Sequence, residues 1–129
     1  MSNQITIPQE VKDAWEKRQG PIVFTTVAAD ATPNSIYATC VSLYKENSVL
    51  VANNFFDKTI KNIESGCKGS ILFLTEDNHS YQLKGNIKHF TSGEIFEDMK
   101  SWNPKKLPGV GVAVITIEEI YYGAKKLIP

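Results

Sequence analysis

The chain alternates between short apolar stretches and clusters of turn-forming residues. The segments "PIVFTTVAA", "SIYATCVSLY" and "SVLVANN" are separated by "DATPN" and "KEN". Farther along, "GSILFLT", "YQLKGNIKHF" and "VGVAVITIEEIYYG" show the same enrichment in β-branched and aromatic residues. Such runs, bounded by Gly, Pro, Asn and Asp, are typical of antiparallel strands joined by short connections. The pattern predicts six strands.

A helix-like pattern precedes the first strand. "TIPQ" at Thr6–Gln9 has the form of a capping box with proline in the first turn, and Gly20 is placed as a helix stop. Val11 and Trp15 share one face at an i, i+4 spacing. These features predict a helix over residues 7–19.

Two further helices are predicted between strands. One follows Asp57 in "FFDKTIKNI", with Ile60 and Ile63 facing inward, and the other follows "TSGE", with an apolar face of Ile95, Phe96 and Met99. Six strands with only brief helices between them favour a mainly β fold, a closed or nearly closed antiparallel barrel. With 129 residues, the chain is expected to form one domain over residues 1–129.

The charge balance argues against polyanionic partners. Lys and Arg total 14, Asp and Glu total 14, and the formal net charge is +0, so no global field attracts nucleic acid or an anionic membrane. The longest apolar runs, such as residues 110–117, fall short of the roughly 20 residues that span a bilayer, and the N-terminus lacks a leader pattern. We therefore expect a cytoplasmic protein with no nucleic-acid or membrane partner.

The cysteines and histidines do not form a recognisable metal or redox motif. Cys40 and Cys67 fit neither a CxxC pair nor a zinc ligand set. His79 is expected in a loop and His89 on the surface of an alternating strand, where neither has a catalytic role. We expect no metal site.

The stretch "FFDKTIKNI" carries the clearest candidate chemistry. Lys58 and Thr59 stand at the start of the predicted second helix, where unpaired backbone N–H groups and the helix dipole favour a phosphate. In the alternative interpretation, Asp57 is the N-cap and satisfies those N–H groups, while Lys58 is only solvated. No GxGxxG or GxxxxGK[ST] loop accompanies this stretch, so the sequence supports neither a Rossmann nor a P-loop nucleotide site.

The order of these segments resembles the FMN-binding split-barrel family related to pyridoxamine 5'-phosphate oxidase, above all its short single-domain members. The resemblance covers nearly the whole chain, from the first helix through "YQLKGNIKHF" with its central Gly85. It implies a six-stranded split barrel that binds FMN. The resemblance also implies a homodimer with FMN at the subunit interface and a nicotinamide or protein electron donor.

Carried onto this sequence, the resemblance assigns cofactor-binding positions. Lys58 and Thr59 would hold the FMN phosphate. A second group would lie beside the flavin ring and ribityl chain: Thr39, Cys40, Val41, Phe55, Phe56 and Asp57. Trp102 would either stack on the flavin of the partner subunit or seal the last helix against the barrel.

The implied activity is an FMN-dependent oxidoreductase or electron-transfer protein, with no catalytic residue assigned. Oxidation of pyridoxamine phosphate itself is not expected, because the chain ends "YYGAKKLIP" without the Arg and His that hold the substrate phosphate in such oxidases. The alternative is a non-enzymatic module on the same barrel that binds or senses a flavin, haem or a deazaflavin.

Overall fold

The computed structural model describes residues 5–128 and contains three helices and eight strands. The helices are α1 (Gln9–Glu16), α2 (Lys58–Glu64) and α3 (Glu94–Trp102). The strands are β1 (Ile22–Val27), β2 (Pro33–Ala38), β3 (Val41–Tyr44), β4 (Ser48–Asn53), β5 (Lys68–Leu74), β6 (Ser80–Phe90), β7 (Gly111–Tyr122) and β8 (Lys125–Ile128).

All eight strands form one antiparallel sheet in the order β2-β1-β5-β6-β7-β4-β3, with β8 paired to β7. The strands β2 and β3 lie at opposite ends of this order, yet only Thr39 and Cys40 connect them. The three Cα–Cα steps from Ala38 to Val41 span no more than about 11 Å, so the sheet must curl until its ends meet. The mainly β split-barrel fold is thereby confirmed.

The count of six strands was wrong. The predicted strand "SIYATCVSLY" is divided at Thr39 and Cys40, because its first part pairs with β1 and its second part with β4. The last residues, "KKLI", form β8 and pair with β7. Lysines at Lys125 and Lys126 concealed this strand, because exposed edge strands tolerate charges that a core strand does not.

The first helix is shorter than predicted. Pro8 occupies the N-cap position without a side-chain capping bond, so the predicted capping box was wrong. The helix ends at Glu16 because the chain then joins the sheet edge, where Arg18 bridges Thr75 and the Gln19 N–H donates to the Leu74 carbonyl.

Two apolar clusters lie on opposite faces of β4 and β7. The barrel interior contains Val49, Val51 and Ile115, with α1 covering one end through Val11 and Trp15. The alternate residues of the same two strands, including Leu50, Val112 and Val114, pack outside the barrel against α3. Because β4 is therefore buried on both faces, its end is held in place. The loop between β4 and α2 begins at this end.

Gly85 permits a close approach of β6 and β7. The register of β6 on β7 shifts between Lys84 and Gly85, and a Cβ on Gly85 would lie 1.8 Å from the backbone oxygen of Thr116. Only glycine fits this bulge. Across residues 5–128, no helix combines the length and apolar character needed to cross a bilayer.

Candidate functional site

A cleft of about 260 Å³ opens beside the corner where the chain passes from β2 to β3. Four segments contribute to its walls: β2 and the corner that follows it, the end of β4, the β4–α2 loop, and the loop before β7. The lining residues are Ile36, Tyr37, Ala38, Thr39, Cys40, Ala52, Asn54, Phe55, Phe56 and Leu107. The structure thus brings together four of the predicted cofactor residues: Thr39, Cys40, Phe55 and Phe56.

One wall of the cleft follows the pleat of β2. Asn34, Ile36 and Ala38 alternate with exposed neighbours and share one face of the strand. At about 3.3 Å per residue, this row extends roughly 13 Å, from the beginning of α2 to the Thr39 corner. The cleft and the start of α2 therefore lie along a single strand.

The opposite wall is the β4–α2 loop, in which two adjacent phenylalanines point in different directions. Phe55 is 78% exposed, whereas Phe56 packs against the interior with its ring centroid 6.1 Å from that of Phe24. The Phe56 N–H donates to Asn53 Oδ1 at 3.1 Å. Phe56 anchors the loop, and Phe55 is left free to contact a ligand or another surface.

A reciprocal amide pair fixes the same loop from its other side. Asn54 Nδ2 donates to Asn103 Oδ1 at 3.1 Å, and Asn103 Nδ2 donates to Asn54 Oδ1 at 2.9 Å. The Gly109 N–H also donates to Asn54 Oδ1, at 2.9 Å. The loop is therefore attached to the segment between α3 and β7, which brings Leu107 to the cleft.

The beginning of α2 presents one exposed cation. Lys58 is exposed and, within the described residues 5–128, forms no salt bridge. Asp57 occupies the N-cap position, yet its carboxylate makes no capping bond. The alternative interpretation, in which Asp57 caps α2, is therefore not what the structure shows, and the Asp57 side chain does not satisfy the first backbone N–H groups of the helix.

Thr59 has a different position from Lys58. The residue is 2% exposed, and its Oγ1 accepts a hydrogen bond from Asn34 Nδ2 at 3.3 Å. This bond ties α2 to the β2 row, so that Lys58, one residue earlier, lies at the end of the row away from the corner. The hydroxyl proton of Thr59 takes no part in the bond from Asn34, in which Oγ1 is the acceptor.

Val41 and Trp102 lie away from the cleft lining. Val41 borders a separate groove with Trp15 and Arg18 at the end of α1. Trp102 packs with the outer cluster beside α3, and its Nε1–H donates to Asp98 Oδ2 at 3.1 Å. Within one chain, Trp102 thus covers the barrel wall, as in the sealing role considered above.

His89 lies beneath the β4–α2 loop and is not the surface residue that strand alternation suggested. Its Nε2 lies 3.0 Å from Asn53 Nδ2, and its ring rests on Gly111, where a Cβ would come within 2.4 Å of the imidazole. Burial lowers the pKa of His89 from its ordinary value of 6.5, and the charge of Glu64 opposes this shift. Burial therefore favours the neutral form of the ring.

Sequence reasoning missed several residues of the site. The cluster "DATPN" predicts a turn at Asn34, although the alternation of Asn34 with Ile36 and Ala38 is a strand signal. The run "SVLVANN" predicts only a strand end at Asn53 and Asn54. Leu107 carries no sequence signal, because only the Asn54–Asn103 pair brings its loop to the cleft.

Comparison with known proteins is consistent with this architecture. An uncharacterized protein of Methanocaldococcus jannaschii, MJ0282, is 31% identical over 109 residues, which cover 80% of this chain and 73% of that protein. The crystal structure of HupZ from Group A Streptococcus superposes with a TM-score of 0.78 at 26% identity, covering 90% of this chain and 93% of HupZ.

A more distant structure shares the fold alone. An FMN-binding protein from Syntrophomonas wolfei superposes with a TM-score of 0.71 at 18% identity, covering 88% of this chain and 95% of that one. The family model described as pyridoxamine 5'-phosphate oxidase matches residues 7–123. The chain therefore belongs to the pyridoxamine 5'-phosphate oxidase family.

Proposed function

We propose that the protein binds FMN in the cleft beside the β2–β3 corner and acts as an FMN-dependent oxidoreductase or electron-transfer protein. The observation that carries the proposal is this cleft, built from the Thr39–Cys40 corner and the Phe55–Phe56 loop, in a chain of this family. The structural similarity to an FMN-binding protein of Syntrophomonas wolfei supports the choice of cofactor.

The residues present fit the parts of FMN. Apolar and aromatic groups suited to a flavin ring line the cleft, among them Ile36 and Phe55, with polar atoms at Thr39 and Asn54. Lys58 supplies a positive charge at the far end of the β2 row, where a phosphate would be attracted. Thr59 can add its hydroxyl donor, and Asp57 would pass beside the ribityl chain.

The chemistry divides between cofactor and protein. A bound flavin supplies the capacity to accept and return electrons. The chain's own residues bind and orient it: Lys58 holds the phosphate, and the doubly attached β4–α2 loop fixes one wall. The Cys40 thiol, half-buried against the outer cluster, serves as a lining group.

The cleft of a single chain is smaller than a complete cofactor site. Small-molecule sites usually enclose about 300–1,000 Å³, whereas this cleft measures about 260 Å³. Two of its lining aromatics, Tyr37 and Phe55, are each 78% exposed. A second copy of the chain covering this face would complete the site, in line with the expected homodimer and an interfacial FMN.

The proposal is tested by titrating the purified, cofactor-free protein into FMN. We expect quenching of FMN fluorescence with saturation and a perturbed two-band flavin absorption spectrum. Protein that leaves the FMN fluorescence unchanged over the full titration would refute FMN binding. A Soret band on addition of haem, with no response to FMN, would instead support the haem-binding alternative.

Enzymatic activity requires a separate experiment. The FMN-loaded protein is mixed with NADH or NADPH under anaerobic conditions, and flavin bleaching is followed by absorbance. Bleaching faster than that of free FMN supports an oxidoreductase with a nicotinamide donor. Tight FMN binding without reduction by either nucleotide would favour a protein electron donor or the non-enzymatic module.

A further inference from the structure

His89 and Asn53 form a contact whose polarity is fixed by the backbone. The Phe56 N–H can only donate, so the Asn53 atom that it meets at 3.1 Å must be the amide oxygen. The amide nitrogen of Asn53 therefore faces His89 Nε2, at 3.0 Å. Because that nitrogen can only donate, His89 Nε2 must accept, and the ring must be neutral.

Neither partner can rearrange without losing a hydrogen bond. A proton on Nε2 would set two donors against each other across the His89–Asn53 contact. Rotating the Asn53 amide would restore that contact but would turn its nitrogen toward the Phe56 N–H, another donor. Asn53 is 6% exposed, so water cannot readily replace the lost bond.

The packing around His89 leaves its ring little room to move away. Gly111 of β7 lies directly under the imidazole. The charged group that acts on His89 from the neighbouring elements is Glu64, near the end of α2, and its effect is weaker than that of burial. Protonation must therefore be accommodated mainly by the Asn53–Phe56 segment.

We propose that His89 is a pH-sensitive positioning residue for the β4–α2 loop, which holds Phe55 and Phe56 in place through Asn53 when neutral and loosens them when protonated. The proposal deepens the proposed function and rests on it for its consequence: flavin affinity should fall at acid pH. The Asn54–Asn103 attachment is untouched by this proton, so the loop is loosened and not released.

The direction of the pH effect follows from the bond that is lost. At pH 8 the histidine is neutral and the loop is held. Flavin binds to the held loop, which requires a neutral His89. Below pH 6.5, protonation of His89 therefore competes with flavin binding, and the affinity for flavin decreases. Loss of one partly buried hydrogen bond corresponds to roughly a threefold to tenfold weaker affinity.

The test compares flavin affinity at pH 8 and pH 5 in the wild type, His89→Gln and His79→Gln. The glutamine of His89→Gln offers an oxygen acceptor that does not titrate, so the profile of this variant should lack the threefold to tenfold decrease. The second variant removes the histidine at the opposite end of β6, which contacts Tyr122, and it should retain the wild-type profile. Riboflavin is measured beside FMN because the FMN phosphate itself titrates near pH 6.

A measurement without flavin separates this inference from the proposed function. In the flavin-free protein, the NMR shift of the Phe56 backbone amide should follow the titration of His89, with a midpoint below 6.5. It should not titrate in His89→Gln. In Asn53→Asp the carboxylate accepts from either form of the ring, so the pKa of His89 should rise above 6.5.

The outcomes are distinct. The NMR shift of the Phe56 amide could follow the titration of His89 in a protein that binds no flavin. This result would support the positioning role and refute FMN binding. Parallel pH profiles for the wild type and His89→Gln, with a Phe56 amide that does not titrate, would overturn the positioning role. FMN binding would stand in that second case.

Discussion

Four asparagines hold the β4–α2 loop and α2 in place. Asn53 and Asn54 fix the loop through Phe56, Asn103 and Gly109. Asn34 and Asn62 fix the helix, the first through Thr59 and the second through Thr26. No buried side-chain nitrogen or oxygen among residues 5–128 lacks a partner. These amides give Phe55 and Lys58 defined positions without a regular sheet around them.

The bond between Asn62 and Thr26 predicts a measurable stability loss. Asn62 Nδ2 donates to Thr26 Oγ1 at 2.9 Å, and the two residues are 6% and 0% exposed. Thr26→Val would leave this amide without an acceptor, so we expect a loss of about 1–3 kcal/mol in the free energy of unfolding, measured by urea denaturation.

Thr25→Val is the matched control. The Thr25 hydroxyl forms an exposed hydrogen bond with the Ser35 hydroxyl, and in the variant water can take the place of the lost hydroxyl. Its expected loss is below about 0.5 kcal/mol. Equal losses for the two variants would contradict a special role for the buried bond.

At the residue scale, four of the residues that the resemblance assigns to the cofactor line one cleft, Thr39, Cys40, Phe55 and Phe56, whereas the roles of single residues were harder to predict. Lys58 lies at the start of α2, as the sequence predicts, and its side chain is exposed. The role of Asp57 could not be predicted, because an Asp at an N-cap position usually caps, whereas here the backbone angles of φ −128° and ψ −85° accompany no capping bond. The burial of Thr59 depends on β2, a contact distant in sequence.

At the scale of elements, the connection between β2 and β3 determines where the cleft forms. A two-residue crossing between the two ends of the sheet places Thr39 and Cys40 at a corner, outside the regular ladders of β2 with β1 and of β3 with β4. One hydrogen bond still reaches the corner, from the Ala52 N–H near the end of β4 to the Cys40 carbonyl at 3.0 Å. Such corners leave space between strands that a continuous strand would fill. The sequence predicts an extended segment here. It does not reveal that the first half pairs with β1 and the second half with β4, because a change of partner does not alter the alternation of apolar residues.

The bulge at Gly85 predicts a severe effect of a small substitution. Gly85→Ala would place a Cβ 1.8 Å from the Thr116 backbone oxygen, and the position of the Cβ is fixed by its own backbone, so no side-chain rotation relieves the clash. We expect a loss of at least about 3 kcal/mol in the free energy of unfolding, or an insoluble protein.

Gly20→Ala provides the comparison for Gly85→Ala. Gly20 has a φ of +74°, and a Cβ added there would meet no atom within 4 Å, so only the backbone conformation is penalised, by about 1–2 kcal/mol. Thermal unfolding followed by circular dichroism measures both variants. If the melting temperature of Gly85→Ala is no lower than that of Gly20→Ala, the two backbones do not approach as closely at Gly85 as described.

At the scale of the whole molecule, the exposed aromatics suggest how the site is completed. Tyr37 and Phe55 stand out from a sheet whose other large apolar residues are mostly buried. Large exposed rings around a cleft are typical of interaction surfaces. The general fold was predictable because barrel strands have short, regular spacing. The assembly was not, because it depends on contacts between the surfaces of two chains.

The proposed dimer predicts a sedimenting species of twice the 14.4 kDa chain mass. Tyr37→Glu should weaken the dimer, because it places a charge in the apolar face, and sedimentation velocity at several concentrations measures the change. Leu72→Glu is the control, since Leu72 is 40% exposed on β5. Dissociation by Leu72→Glu and not by Tyr37→Glu would place the interface elsewhere and contradict the completed site.

In the proposed complex, this chain binds FMN with the phosphate at Lys58. The most direct test compares the affinities of wild type and Lys58→Ala for FMN and for riboflavin, which lacks the phosphate, by fluorescence titration at pH 8. A charge-assisted contact to phosphate predicts an FMN affinity lowered about tenfold to a hundredfold and a riboflavin affinity that is nearly unchanged. Equal losses for the two ligands, or no loss for FMN, would contradict the assignment of Lys58.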